Sequence, residues 1–314
     1  MERAAYVALA EDGTLAERAR QLDAVLRDCT MCPHLCRVDR RVELGTCNSP
    51  ADATVASWGP HPGEEPVISA RRGSGTVFLG GCNLACAFCQ NHEISQPGPR
   101  RSHRRMSAEA LADVFLELQA AGCHNVNWVS PSHQVAQLVG ALDVAATAGL
   151  EVPIVYNSNG YDSVETLRLL DGVVDVYMPD LKYADAAVGE ALSAVPAYPH
   201  HARAALREMY RQVGDGWRIG PDGALRRGLL VRMLVLPGGL AGIDESLRWI
   251  AESLSDRIAI SLLAQYHPAH RAARLEGYPD LARRLTADEW REALTALRST
   301  MTGDRHHAQG EWLL

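Results

Sequence analysis

Seven of the eight cysteines fall in two tight groups. Cys82, Cys86 and Cys89 stand in the run CNLACAFCQN, spaced C-x3-C-x2-C. Three thiolates on one short loop suit a cubane iron–sulfur cluster, which normally takes four cysteines. Three protein ligands leave one iron open to a ligand from outside the chain. The blander alternative is a zinc knuckle or plain core cysteines. Cys29, Cys32, Cys36 and Cys47 are spaced C-x2-C-x3-C-x10-C. Four thiolates that close in sequence can complete a tetrahedral site with no open position. Such a site is structural or passes electrons, and ligand softness admits Zn2+ or an auxiliary iron–sulfur cluster. Gly45 permits the turn that brings Cys47 back, and His34 is an alternative ligand. Cys123 stands alone and reads as a buried, inert thiol.

Metal ligation is preferred over disulfides because of the expected compartment. No apolar run reaches the roughly 18 residues that span a bilayer. Residues 1–10 lack a basic stretch followed by an apolar one, so no secretory signal is read. A cytoplasmic protein is expected, where clustered cysteines read as ligands before disulfides. The 314 residues are 47% hydrophobic and 22% charged, which excludes wholesale disorder. Lys plus Arg total 31 against 38 Asp plus Glu. That acidic balance argues against general nucleic-acid binding.

The elements that must position the cysteines alternate between strand and helix signals. Apolar, β-rich runs lie at 76–79, 125–129, 153–156, 173–177, 229–236 and 258–263. Helical patterns occupy 15–28, 108–121, 135–148, 164–170, 202–213 and 244–254, and a last helix starts at a Thr286/Glu289 capping box. Near-continuous apolar strands are those of a buried parallel sheet. The fold predicted is α/β, an open, partial (β/α)6 barrel with an N-terminal cysteine-rich metal-binding extension. The division expected is 1–60 for the extension, 61–285 for the barrel with an insertion at 184–228, and 286–314 for a helix and tail. The Gly/Pro-rich stretch 59–75 reads as loop.

In parallel β/α folds, chemistry collects where loops leave the carboxyl ends of strands. Those loops hold Gly80-Gly81-Cys82, Ser130-Pro131-Ser132-His133, Asn157-Ser158-Asn159-Gly160, Met178-Pro179-Asp180-Leu181-Lys182, Pro237-Gly238-Gly239 and Gln265-Tyr266-His267. Asp180 and Lys182 are two apart, so on extended backbone they point the same way and can pair. His133 and His267 are candidate proton donors. Glu64 and Glu65 are either solvated loop carboxylates or part of a loop folded over the barrel top to meet substrate. Arg100, Arg101, Arg104 and Arg105 form a basic run after the cysteine loop, a solvated patch or one facing an acidic partner.

The cysteine run with Phe88 before its last cysteine resembles the signature of the radical S-adenosylmethionine (SAM) superfamily. The runs GEEP, GSGTVFLGGCN, FCQNHEIS, YNSNGYDSVETLRLLDGVVDVYMPDLKY, LVLPGGLAG and AQYHPAH resemble, more narrowly, the pyruvate formate-lyase activating enzyme-like branch. The resemblance implies an oxidoreductase with a 4Fe-4S cluster on Cys82, Cys86 and Cys89, whose open iron is chelated by SAM. One electron then cleaves SAM to methionine and a 5′-deoxyadenosyl radical, which takes a hydrogen atom from substrate. It implies Phe88 and His267 near the adenosyl group, with Asn157, Asn159, Asp180 and Lys182 among the SAM contacts. It brings Met178 toward the sulfonium. The family's Gly-Gly-Glu motif is replaced by the 130–133 loop, where Ser130 and Ser132 are the available acceptors. The activases carry aspartate where Asn157 stands, which weakens the case for a monovalent cation near Asp180. Expected partners are an electron donor such as flavodoxin or ferredoxin and a glycyl radical enzyme as protein substrate. Nucleic acid and membrane are not expected. The alternatives are radical modification of a small molecule or peptide, a non-catalytic iron–sulfur electron carrier, and a zinc-stabilised binding module.

Overall fold

The structure is a computed structural model and describes residues 3–96, 103–308 and 311–313. Its strands, in chain order, are β1 (Ala53–His61), β2 (Ser74–Leu79), β3 (Arg104–Met106), β4 (Val126–Val129), β5 (Ile154–Asn157), β6 (Val176–Tyr177), β7 (Arg218–Ile219), β8 (Leu225–Leu234), β9 (Ala259–Leu263), β10 (His306–Ala308) and β11 (Glu311–Leu313). They make one sheet in the order β11-β10-β9-β8-β6-β5-β4-β2-β1-β3, with β7 on β8. From β2 to β10 every neighbouring pair along that path is parallel. The sheet ends at β3 on one side and β11 on the other, so the barrel is not closed.

The six apolar runs of the sequence are β2, β4, β5, β6, β8 and β9. A seventh parallel strand, β10, lies in the stretch expected as tail, and β11 folds back on it. β1 begins before the 59–75 stretch expected as loop and runs into it. Gly59 and Pro60, poor strand formers, hide its end. The sheet therefore runs past both ends of the expected barrel segment.

Helices cover the outer face, and sequence signals fix their starts. Ser107, Ser163 and Thr286 each accept a backbone N–H three residues on, and Glu289 completes the capping box. Four described α-helices lie outside the sequence patterns: Ala5–Glu11, Pro66–Ser69, His92–Ser95 and Ala186–Ser193. The helix expected at 202–213 starts earlier, as Tyr198–Val213. The main core packs between helices and sheet, with Phe115, Trp128 and Leu138 fully buried.

The opposite faces of β5, β6, β8 and β9 look into the barrel lumen. A second apolar cluster of Ile68, Val155, Val176, Met178, Leu225, Leu230 and Ala259 fills its amino-terminal end. Ile68 belongs to the short helix Pro66–Ser69 in the β1–β2 connection. Because β1 is antiparallel to β2, His61 pairs with Ser74 at the start of β2. The connection must then lie at the amino ends of the strands, where Asn125 donates to the Ile68 carbonyl at 2.9 Å. The GEEP segment is thus a plug at the lumen floor, not a loop over the barrel top. No helix among the described residues is long and apolar enough to cross a membrane.

Candidate active site

β2 delivers the chain to a tight turn at its carboxyl end. Gly81 has φ +79°, and a Cβ there would meet the Cys47 carbonyl oxygen at 2.7 Å. Glycine is required so that the N-terminal segment can lie against this loop. Cys86 is buried, and Cys82 and Cys89 are half-buried. Each thiol has a polar neighbour. Asn159 Nδ2 donates to Cys82 Sγ at 3.5 Å, Ser193 Oγ donates to Cys86 Sγ at 3.0 Å, and Ser95 Oγ lies 3.2 Å from Cys89 Sγ. Burial, with the neighbouring thiols, pushes the Cys82 thiol up to about 12. Burial raises Cys86 as well, against the nearby Lys182 ammonium.

Such thiols ionise only beside strong positive charge, which a metal supplies. Soft donors on one loop, with hydrogen bonds to their sulfurs, fit an iron–sulfur cluster. The thiols are neighbours without being drawn around a common centre. Among the described residues, no group of three or more His, Cys, Asp or Glu is arranged to hold a metal ion.

All eight cysteines are free. In the quartet, burial and the proximity of Cys47, Cys29 and Cys36 push the Cys32 thiol up to about 12. Among the contacts that fasten this segment to the barrel, Thr166 Oγ1 donates to the Met31 carbonyl at 3.0 Å. His34 Nε2 lies 2.7 Å from the Asn83 carbonyl, one residue from Cys82. Arg40, 2% exposed, donates to the carbonyls of Ser49, Pro50 and His133.

Beneath the cysteine loop lies a lumen of about 780 Å³, lined in part by Glu64, Glu65, Asn157, Arg232 and His307. Lys182 Nζ donates to Asp180 Oδ2 at 2.6 Å, the pairing their spacing predicts. Arg232 joins them from β8. Its Nε donates to Asp180 Oδ1 at 2.9 Å and its Nη2 to Asn157 Oδ1 at 2.6 Å. Burial works to raise the Asp180 carboxyl, but Arg232 and Lys182 together hold it below the usual range. Arg232 Nη1 also lies 3.6 Å from Glu64. Burial pushes the Glu64 carboxyl up to about 7, with Arg232 opposing and Glu65 and Asp180 reinforcing.

The remaining expected site residues are scattered around this mouth. Phe88 is buried edge-on against Tyr266 and Tyr183. Asn159 bridges Cys82 and Asn83. His267 Nδ1 lies 3.3 Å from Gln90 Nε2, next to Cys89. Ser130 ends β4 in the left-handed region, and Ser132 is buried beside Tyr156 and Asp162. His133 is buried. Burial holds its ring down to about 4, and Nε2 lies 3.0 Å from the Gly80 carbonyl. Met178 is fully buried in the floor's apolar cluster. Of the basic run, Arg100 and Arg101 lie outside the described residues, while Arg104 stacks over Trp58.

Sequence reasoning missed Arg232, although it is the one charge in the apolar run 229–236 and that interruption was the available signal. Ser95, Ser193 and Ser261 carried none.

A profile of the radical SAM superfamily matches residues 76–217. The chain is 30% identical over 274 residues to an uncharacterized protein of Methanocaldococcus jannaschii, covering 86% of this chain and 74% of that protein. Solved structures of similar fold include anSMEcpe with bound AdoMet and Cp18Cys peptide, with TM-score 0.48 at 10% identity. HydG, a maturase of the FeFe-hydrogenase, has TM-score 0.47 at 10% identity. These cover 70% and 74% of this chain, which itself spans little more than half their length, 56% and 55%. TYW1 with a lysine-pyruvate adduct bound has TM-score 0.43 at 13% identity, covering 72% of this chain and 74% of its own. The profile begins within β2 and takes in the whole cysteine loop, and the chain accordingly belongs to the radical SAM superfamily, a membership that implies a 4Fe-4S cluster and SAM.

Proposed function

We propose that this protein cleaves SAM reductively at a cluster held by Cys82, Cys86 and Cys89 and abstracts hydrogen from a substrate in the barrel lumen. The observation that carries the reading is a three-cysteine loop set at the mouth of a polar lumen of about 780 Å³. When bound, the cluster and SAM supply one-electron cleavage and a hydrogen-abstracting radical. The chain's own residues bind and orient. Asn159, Asp180 and Lys182 would meet the polar end of SAM, with Asn157 fixed by Arg232, and Ser130 and Ser132 as further acceptors. Phe88 and His267 would border its adenosyl end. The buried walls exclude water from the radical step. An electron donor such as flavodoxin or ferredoxin completes the system, and the N-terminal quartet forms a second metal site, zinc or an auxiliary cluster.

The branch we favour is the activating-enzyme-like one, with a glycyl radical enzyme as substrate. A second reading, modification of a small molecule or a peptide side chain, is supported by the charged lumen floor. A backbone glycine brings no charge to meet it. The test is 5′-deoxyadenosine formation by protein reconstituted anaerobically with iron and sulfide, then given SAM and dithionite. Product is expected from the wild type and not from Cys86→Ala. A wild type that carries its iron yet forms none would overturn the reading.

A further inference from the structure

We propose that the lumen floor recognises a cationic group of the substrate, a protonated amine or a guanidinium, seated on Glu65 and Glu64. This rests on the radical-enzyme reading, since it names the substrate class of the same cavity. Glu65 is 6% exposed. Its Oε1 accepts from Ser261 Oγ at 3.1 Å, and the Ser261 oxygen in turn lies 3.2 Å from His307 Nδ1. Its Oε2 is buried and has no hydrogen-bond partner among the described residues. A buried carboxylate oxygen left without a donor is costly, and its residue lines the lumen.

The nearby cations give their hydrogen bonds elsewhere, although Arg232 still acts on Glu65 through its charge. Lys182 is bonded to Asp180. Arg232 gives Nε to Asp180 and Nη2 to Asn157, leaving Nη1 at 3.6 Å for Glu64. Three carboxylates, buried Glu65 and half-buried Glu64 and Asp180, thus share two half-buried cations. Without a ligand, Glu64 absorbs the imbalance by holding a proton up to about 7. A cation on the floor would give Glu65 Oε2 its donor and let Glu64 ionise. An anionic substrate would deepen the imbalance. The groups that set the response of Glu64 are Arg232, Asp180 and Glu65, with His61 and His307 lining the same lumen.

The experiment is thermal unfolding of the anaerobically reconstituted holoenzyme with SAM present. The probes are n-butylammonium and n-butylguanidinium, with butyramide and butyrate as controls at equal ionic strength. Near saturation the cations should raise Tm by about 2 °C or more. The rise should be larger at pH 8 than at pH 6, because cation binding displaces the Glu64 proton. It should vanish in Glu65→Gln. In Glu64→Gln, which also serves if the first variant fails to fold, the pH dependence should disappear. An equal shift from butyramide or butyrate, no shift from either cation, or a shift that survives in Glu65→Gln would overturn the proposal. Failure of the radical reading shows separately, as no 5′-deoxyadenosine from the wild type, and leaves the binding result standing.

Discussion

Glu64 ionises near 7 in the fold, against 4.5 when free. Between those values the folded chain keeps a proton that the unfolded chain has lost. Its contribution to stability is therefore full below 4.5 and fades as pH rises through 7. Glu64→Gln has no proton to lose. Without ligand, the variant should match the wild type near pH 4.5 and exceed it at pH 8 by up to about 3 kcal/mol. Urea unfolding of both proteins at the two pH values checks this, and a difference that does not change with pH refutes it. His133 works on the other side of neutrality. Its ring stays neutral down to about 4, so its contribution is present above the ordinary 6.5 and lost as pH falls toward 4. That loss is common to both proteins and cancels in the comparison. Local spacing revealed the cysteine groups and the Asp180–Lys182 pair. It did not reveal that Arg232 completes this pair, because that contact depends on parallel register across some fifty residues, where Asp180 bridges Arg232. Nor did it show that Glu65 reaches Ser261, since nothing local says which end of the barrel a connection will close.

Elements were legible where their signals are local. The six apolar runs and the capped starts at Ser107, Ser163 and Thr286 belong to segments that carry their own pattern. β1 and β10 do not, for each is a strand only because a neighbour offers a ladder. The cysteine-rich segment is held in the same borrowed way. It has no helix or strand of its own between residues 29 and 47 and depends on contacts such as Arg40. The guanidinium satisfies three carbonyls and, among the described residues, has no carboxylate in hydrogen-bond contact. Arg40→Ala would strand those acceptors in the interior, at a cost of about 3 kcal/mol or more. The expected result is faster protease cleavage within residues 29–47 while the barrel stays intact, read by mass spectrometry of timed digests. Cleavage at the wild-type rate would show that the segment is anchored without it.

On the scale of the whole molecule, the two cysteine groups are parts of one structure. His34 reaches the carbonyl beside Cys82, and the Cys47 carbonyl fills the space that Gly81 leaves by lacking a side chain. A metal on the quartet, as proposed, would fix this segment against the triplet loop. Closing a segment so poor in regular structure is a task for metal ligation, which couples directly to local folding. Cys32→Ala should therefore do two things. It should remove the quartet's metal, and the element lost, zinc or a set of iron atoms, names the site. It should also leave the triplet's cluster in place but more exposed, so that its visible absorbance bleaches in air several times faster than in the wild type. Oxygen reaches a cluster through the protein around it, and this segment lies against the triplet loop at Gly81 and Asn83. Equal bleaching rates, with the quartet metal gone, would mean that the two sites share a surface without sharing stability.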